Sequence, residues 1–194
     1  MNAPPEAVFV GASAGSVHAL MQILPLLPED FQFPVVVVVH LPPAPKSIMC
    51  EIFSAKCFVK VKEAEDKERL EPGTVYFAPA DYHLLVEADQ TFSLSCDDPV
   101  LYSRPSIDVL FESAADAYGD KALGIVLTGA NEDGTRGLRA ICDAGGGGIV
   151  QDASQALAPQ MPAMALKRCP TAMVLTLEEI AQYLIALHKS FSVT

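Results

Sequence analysis

The chain has 194 residues, 51% of them hydrophobic, which is enough to bury a full core as one domain. Its 24 Asp+Glu outweigh 13 Lys+Arg, giving a net charge of −11. That balance, with no basic stripe interleaved with aromatics, excludes a nucleic-acid binder that relies on lysine and arginine against phosphate, and the longest aliphatic run, Val35 to Val39, falls far short of the roughly 20 residues that span a bilayer.

Residues 1–6 read as a frayed tail, and 7–194 as a single domain. The N-terminus has no basic segment followed by a long apolar one, so no secretory signal is read there. Cys50, Cys57, Cys96, Cys142 and Cys169 are scattered without a Cys-x-x-Cys pair. Such a set reads as the reduced thiols of a cytoplasmic protein and not as a disulfide framework or a zinc site.

Ala7 to Val10 is apolar and predicts a strand. Ser16 to Leu24 has helical spacing of Val17, Leu20 and Leu24. Between them lies Gly11-Ala12-Ser13-Ala14-Gly15, a serine at the centre of a small-residue strand-to-helix turn. This fits the nucleophile elbow G-x-S-x-G, in which small neighbours let the serine hydroxyl project from a sharp turn. Phosphate-binding loops fit poorly. A dinucleotide fingerprint needs glycine where Ser13 stands, and a Walker loop needs a lysine, yet none precedes Lys46. A nucleophile or a plain turn remains.

The run Val35 to Val39 predicts a parallel strand buried on both faces, and His40 follows it at once. From Lys60 to Val100 the pattern is short and β-rich: Thr74–Phe77, His83–Glu87 and Thr91–Ser95, separated by turn residues. It predicts one or two antiparallel hairpins at the edge of the main sheet. Arg104-Pro105-Ser106 opens a helix with Ile107, Leu110, Phe111 and Ala114 on its apolar face and Asp108 in its first turn. Ala122 to Leu127 predicts another buried strand, followed by Thr128-Gly129-Ala130-Asn131-Glu132-Asp133-Gly134. A helix to Ala144 ends in four glycines, Gly145 to Gly148. Strands at Gly148–Val150 and Thr171–Leu175 follow, then a closing helix from the N-cap Thr176 to His188. The alternation predicts a three-layer α/β/α fold with a largely parallel sheet and an antiparallel hairpin edge.

In open α/β sheets, sites gather outside the carboxyl ends of the strands. Three predicted strands end at Ser13, at His40 and in the loop carrying Asp133. Each residue also has a plain role, as turn residue, strand-end cap and helix N-cap respectively. Together they can form a serine nucleophile, its base and the carboxylate that orients the base. The N–H groups after Ser13, Ala14 first among them, are placed to receive an oxyanion. His18, His83 and His188 lie on the first helix, in the hairpin region and near the C-terminus.

The stretches VFVGASAGS, VVVVVHLPP, VYFAPADYHL, SRPSIDVLFESAA, GIVLTGANEDGTRGL and GGGGIVQDASQALAPQMPAMAL stand in the order of one known family. From about Val8 to Leu184 the chain resembles the catalytic domain of the CheB-type methylesterases of chemotaxis receptors. The resemblance implies hydrolysis of glutamyl γ-methyl esters on receptor signalling helices, and deamidation of certain glutamines, with no metal or cofactor. It implies Ser13 as nucleophile, His40 as base and Asp133 as the orienting carboxylate. Methyl-accepting chemotaxis receptors are the implied partners.

The chain departs from the family at Ser16, which replaces a glycine, and at Ala130 and Asn131, which replace a Met-Gly pair beside the oxyanion position. A non-glycine residue at 131 is expected to alter the loop, since positive φ costs it free energy. Family members often carry an N-terminal receiver domain; this chain starts at the catalytic domain and is expected to be an excised part or a stand-alone enzyme. Arg104 and Arg136, near the sheet edge, are the expected contacts for an acidic receptor helix. A small-ester esterase of the same fold and a catalytically weak receptor-binding module are the alternatives, and the sequence sets no oligomeric state.

Overall fold

The computed structural model describes residues 4–40 and 48–191. The Leu41-Pro42-Pro43 part of the second family block therefore lies outside the described residues, as do residues 1–3 of the expected tail. The rest of that tail is tied down: Pro5 is buried, and the Glu6 N–H donates to the Lys121 carbonyl at 2.8 Å.

Seven parallel strands form the main sheet. In chain order they are β1 (Ala7–Ala12), β2 (Val35–Val39), β3 (Lys60–Glu63), β4 (Thr74–Phe77), β7 (Ala122–Val126), β8 (Gly147–Gln151) and β9 (Met173–Leu175). Their spatial order is β3-β4-β2-β1-β7-β8-β9. From β1 the chain adds β2 and then the edge strand β3 on one side, inserts β4 between them, and returns to lay β7 on the other side of β1, so the topological switch point lies between β1 and β7.

Strand alternation divides the core in two. Phe9, Val36, Val38, Tyr76, Val126 and Val150 face one layer, with Ile107, Leu110 and Phe111 of α3 (Ile107–Tyr118), Leu138 and Ile141 of α4 (Thr135–Asp143) and Met161 of α5 (Gln160–Arg168). Val8, Val10, Val35, Val37, Val39 and Ile125 face the other, with Leu20 of α1 (Ser16–Met21), Phe53 of α2 (Ile48–Ser54) and Ile180 of α6 (Leu177–Phe191). The valine run is thus a strand used on both faces. Edge strand β3 has the sequence Lys-Val-Lys-Glu, whose charges discourage further pairing.

The hairpin region differs from expectation in two respects. β5 (His83–Val86) and β6 (Phe92–Ser95) pair antiparallel as a separate two-stranded sheet, not hydrogen-bonded to the main one. Thr74–Phe77, grouped with the hairpins by its flanking turn residues, is instead parallel strand β4, buried at all four positions. Leu84, Val86 and Phe92 of the hairpin pack with Leu110 and Phe111 in the α3 layer. At the other end, Thr176 caps α6 as expected: its Oγ1 accepts the Glu179 N–H, while Glu179 returns a carboxylate to the Thr176 N–H.

Candidate active site

The three triad candidates fall at the switch point. Ala12 is in register with Val39 at the ends of β1 and β2, and the His40 N–H continues the ladder to the Ala12 carbonyl at 3.2 Å. Ser13 and His40 therefore leave adjacent strands side by side. On the other flank of β1, the Ser13 N–H donates to the Thr128 carbonyl at 2.9 Å, in the loop after β7 that leads to Asp133.

Two glycines make the elbow possible. A Cβ on Gly11 would lie 2.3 Å from Ile107 Cγ2, so its absence lets the start of α3 press against the end of β1. Gly15 caps α1 at φ +84, where a side chain would also strike Leu157 and Thr128. Thr128 closes the turn: its Oγ1 donates to the Ala14 carbonyl at 2.8 Å and accepts the Ala158 N–H at 2.9 Å. The buried Gln151 side chain accepts the Thr128 N–H. Among the described residues neither the Ala14 nor the Ala130 N–H has an acceptor, and both residues are exposed.

Asp133 is fully buried and accepts five hydrogen bonds. Oδ2 takes His40 Nε2 at 2.8 Å and the Ile107 N–H at 2.7 Å. Oδ1 takes the Ser106 hydroxyl, the Asp108 N–H and the Gly134 N–H, at 2.8, 2.9 and 3.0 Å. Ser106 is the N-cap of α3, so the carboxylate sits on that helix's first free N–H groups and its positive end. Burial pushes the Asp133 pKa up; the bonds from His40, Asp108 and Ile107 outweigh it, and the net shift is downward. Asp133 is therefore ionised, and His40 must offer it a hydrogen on Nε2. Nδ1 of the neutral ring then carries the lone pair. This interchanges the two ring nitrogens relative to the trypsin-type triad, where Nδ1–H faces the aspartate.

The loop departure at Asn131 has a benign outcome. Asn131 is not among the residues with positive φ; its side chain accepts the Asp133 N–H at 3.2 Å, an Asx turn that shapes the approach to the carboxylate.

A family model of the CheB methylesterases matches residues 8–184. The chain belongs to the CheB methylesterase family. A Leptospira interrogans protein, itself only provisionally assigned as a protein-glutamate methylesterase/protein-glutamine glutaminase, is 45% identical over 185 residues, covering 95% of this chain and 96% of its own. A Methanosarcina acetivorans protein-glutamate methylesterase/protein-glutamine glutaminase is 35% identical over 94% of this chain, which spans only 53% of that relative. The crystal structure of the Thermotoga maritima CheB methylesterase catalytic domain superposes with a TM-score of 0.90 at 34% identity, covering 95% of this chain and all of that one.

The two arginines separate. Arg104 makes four hydrogen bonds, two to Asp81 Oδ1 and one each to the Cys96 and Asp97 carbonyls, which makes it a strut between loops. Arg136 is half exposed and reaches back at 3.0 Å to Asp108, a carboxylate buried beneath it. It stands on the wall of a cavity of about 640 Å³ with Val100, Leu101, Glu132, Thr135, Met164, Lys167 and Arg168. Neither Ser13 nor His40 lines that cavity, so it lies beside the triad, not over it.

Burial pushes the Cys57 thiol up to about 11 and, with Cys169 beside it, the Cys142 thiol up to about 12, which removes both as nucleophiles at neutral pH. Among the described residues no helix is long and apolar enough to cross a membrane. Sequence reasoning missed Thr128, Ser106 and Gln151. Ser106 had a signal, a serine just before an apolar helical face; Thr128 and Gln151 had none beyond their place at strand ends.

Proposed function

We propose that this chain is a cytoplasmic serine hydrolase that removes glutamyl γ-methyl esters, and deamidates glutamines, on the signalling helices of methyl-accepting chemotaxis receptors. The observation that carries the reading is the His40–Asp133 bond at 2.8 Å beside a serine elbow on the adjacent strand.

His40 Nδ1 takes the Ser13 proton as Oγ attacks the side-chain carbonyl carbon. The tetrahedral oxyanion is met by the Ala14 and Ala130 N–H groups, which have no other acceptor among the described residues. Each such donor contributes about 3–4 kcal/mol in the transition state. The imidazolium, stabilised by ionised Asp133, gives its proton to the departing methoxide, releasing methanol, or to the amide nitrogen, releasing ammonia. Water, deprotonated by the same nitrogen, then cleaves the glutamyl-serine ester and restores Ser13 and a free carboxylate. Both reactions pass through one acyl-enzyme, so one triad serves both.

The test is methanol release from a methylated receptor cytoplasmic fragment, comparing the native chain with Ser13→Ala. Release that disappears in the variant is the expected result. Turnover of aryl esters with no methanol from receptor would replace this reading with a small-ester esterase. No turnover of either would leave a receptor-binding module.

A further inference from the structure

The hairpin β5–β6 makes no ladder with the main sheet, yet its first residue is a histidine only 2% exposed. His83 Nε2 lies 3.1 Å from the Asp98 carbonyl, and Nδ1 lies 3.2 Å from the Ser106 backbone nitrogen. A carbonyl can only accept and a backbone N–H can only donate. One ring state satisfies both: neutral, with the hydrogen on Nε2 and the lone pair on Nδ1.

Ser106 is the residue that aims the α3 N-terminus. Its hydroxyl donates to Asp133 Oδ1, and the two N–H groups after it, of Ile107 and Asp108, divide between the two carboxylate oxygens. Three of the five bonds on Asp133 thus come from a segment whose backbone nitrogen is held by His83. The Arg104 strut fixes the Cys96 and Asp97 carbonyls just before Asp98, so the acceptor that orients His83 is itself held.

We infer that His83 is a positioning residue for the reaction: it anchors Ser106, so that the α3 N-terminus presents its donors to Asp133 and keeps the His40 hydrogen on Nε2. Residues 83, 106, 133 and 40 form one unbroken run of hydrogen bonds, from the Asp98 carbonyl to the base. The inference rests on the triad reading above. It also gives the separate hairpin a purpose in the site.

The test uses three substitutions in the full chain. His83→Asn places a carbonyl oxygen near the Nδ1 position and can still accept the Ser106 N–H. His83→Gln can reach the Asp98 carbonyl with its NH₂ but places no acceptor where Nδ1 stood. His83→Leu does neither. A positioning role predicts that kcat falls about tenfold in Gln and Leu, with KM unchanged, and recovers to within a few-fold of native in Asn. Activity is compared per folded molecule, with near-ultraviolet circular dichroism confirming the fold. A loss that is equal in Asn and Gln, or that tracks thermal stability alone, overturns the inference.

A second readout does not depend on turnover. The ¹⁵N shifts of the His40 ring report which nitrogen carries the hydrogen. They should move in Gln and Leu and return towards native in Asn. Native shifts in all three variants overturn the inference. Failure of the esterase reading shows separately, as an inactive native chain, while the ring shifts still decide the role of His83.

Discussion

His40 is joined to Asp133 through Nε2, at 2.8 Å, while among the described residues every other donor on that carboxylate is a backbone N–H or the Ser106 hydroxyl. The site around Asp133 holds donors only. An amide in its place would set its own NH₂ against one of them, and the least constrained partner is the imidazole, which can move its hydrogen to Nδ1. Asp133→Asn should therefore abolish the base. The expected loss is about 10⁴-fold in kcat with little change in KM, the scale seen when a triad histidine takes the wrong tautomer. Stopped assays of methanol release measure it; a loss below tenfold would remove Asp133 from the triad.

The same carboxylate sets a pH dependence of stability. Its folded pKa lies below the ordinary value of 3.8, so the unfolded chain binds the proton more readily. The stabilisation is complete above that ordinary value and is lost as pH falls through the folded one. Asp108 has the opposite sign: burial, the largest influence, raises its pKa despite the Gly137 N–H and Arg136, so its charged form costs stability as pH rises above 3.8. Denaturant titrations from pH 7 to pH 3 should show the gap between native and Asp133→Asn narrowing in acid. The native chain should gain on Asp108→Asn over the same interval. Gaps that stay level across that range would contradict both shifts.

Much of this arrangement was legible in the sequence, because it is made by strand ends. Five consecutive valines identify β2, and a strand that ends at His40 must deliver the imidazole to the sheet's carboxyl edge. What was not legible depends on contacts remote in sequence. Thr74–Phe77 joins the main sheet because Tyr76 and Phe77 are buried on opposite faces, a fact that its flanking turn residues obscure. Helix α5 was not predicted; Pro159 is its N-cap and Pro162 lies in its first turn, where a proline removes no intrahelical bond. The structural bonds of Arg104 were hidden for a similar reason. Its acceptors lie 7, 8 and 23 residues away, and no local pattern announces them.

Gly11 and Ile107 offer a test of how the elbow is packed. The missing Cβ leaves room for a methyl that would otherwise sit 2.3 Å away. Gly11→Ala should cost about 1–3 kcal/mol and lower kcat by displacing the α3 N-terminus from Asp133. Ile107→Ala alone should also destabilise, by opening a cavity. The double variant should be more stable than the sum of the two losses, since each change relieves the other. Strict additivity in a denaturant double-mutant cycle would show that the clash is absorbed elsewhere.

Thr128 should matter more to rate than its distance along the chain implies. Its hydroxyl bridges the Ala14 carbonyl and the Ala158 N–H, which holds the turn that carries Ala14, whose N–H is the proposed oxyanion donor. Thr128→Val keeps the shape and removes both bonds. Leaving the half-buried Ala158 N–H unpaired costs about 1–3 kcal/mol. In addition kcat should fall about tenfold while KM holds, and Thr128→Ser should restore most of the rate. An unchanged kcat would show that Ala14 is held without this bridge.

We propose that Arg136 governs how this acidic chain approaches a glutamate-rich receptor helix. At a net charge of −11 the long-range field repels a glutamate-rich helix, so attraction must be local. Arg136 stands half exposed beside the triad, on a cavity wall that also carries Lys167 and Arg168, with Val100 and Leu101 as apolar surface. Arg136→Gln keeps a hydrogen-bond donor for buried Asp108 and removes the charge. It should raise KM for the receptor fragment several-fold and leave turnover of a neutral aryl ester near native. The difference should shrink in high salt, where the native chain loses the same attraction. Equal KM values at low ionic strength would show that the receptor is held by other groups.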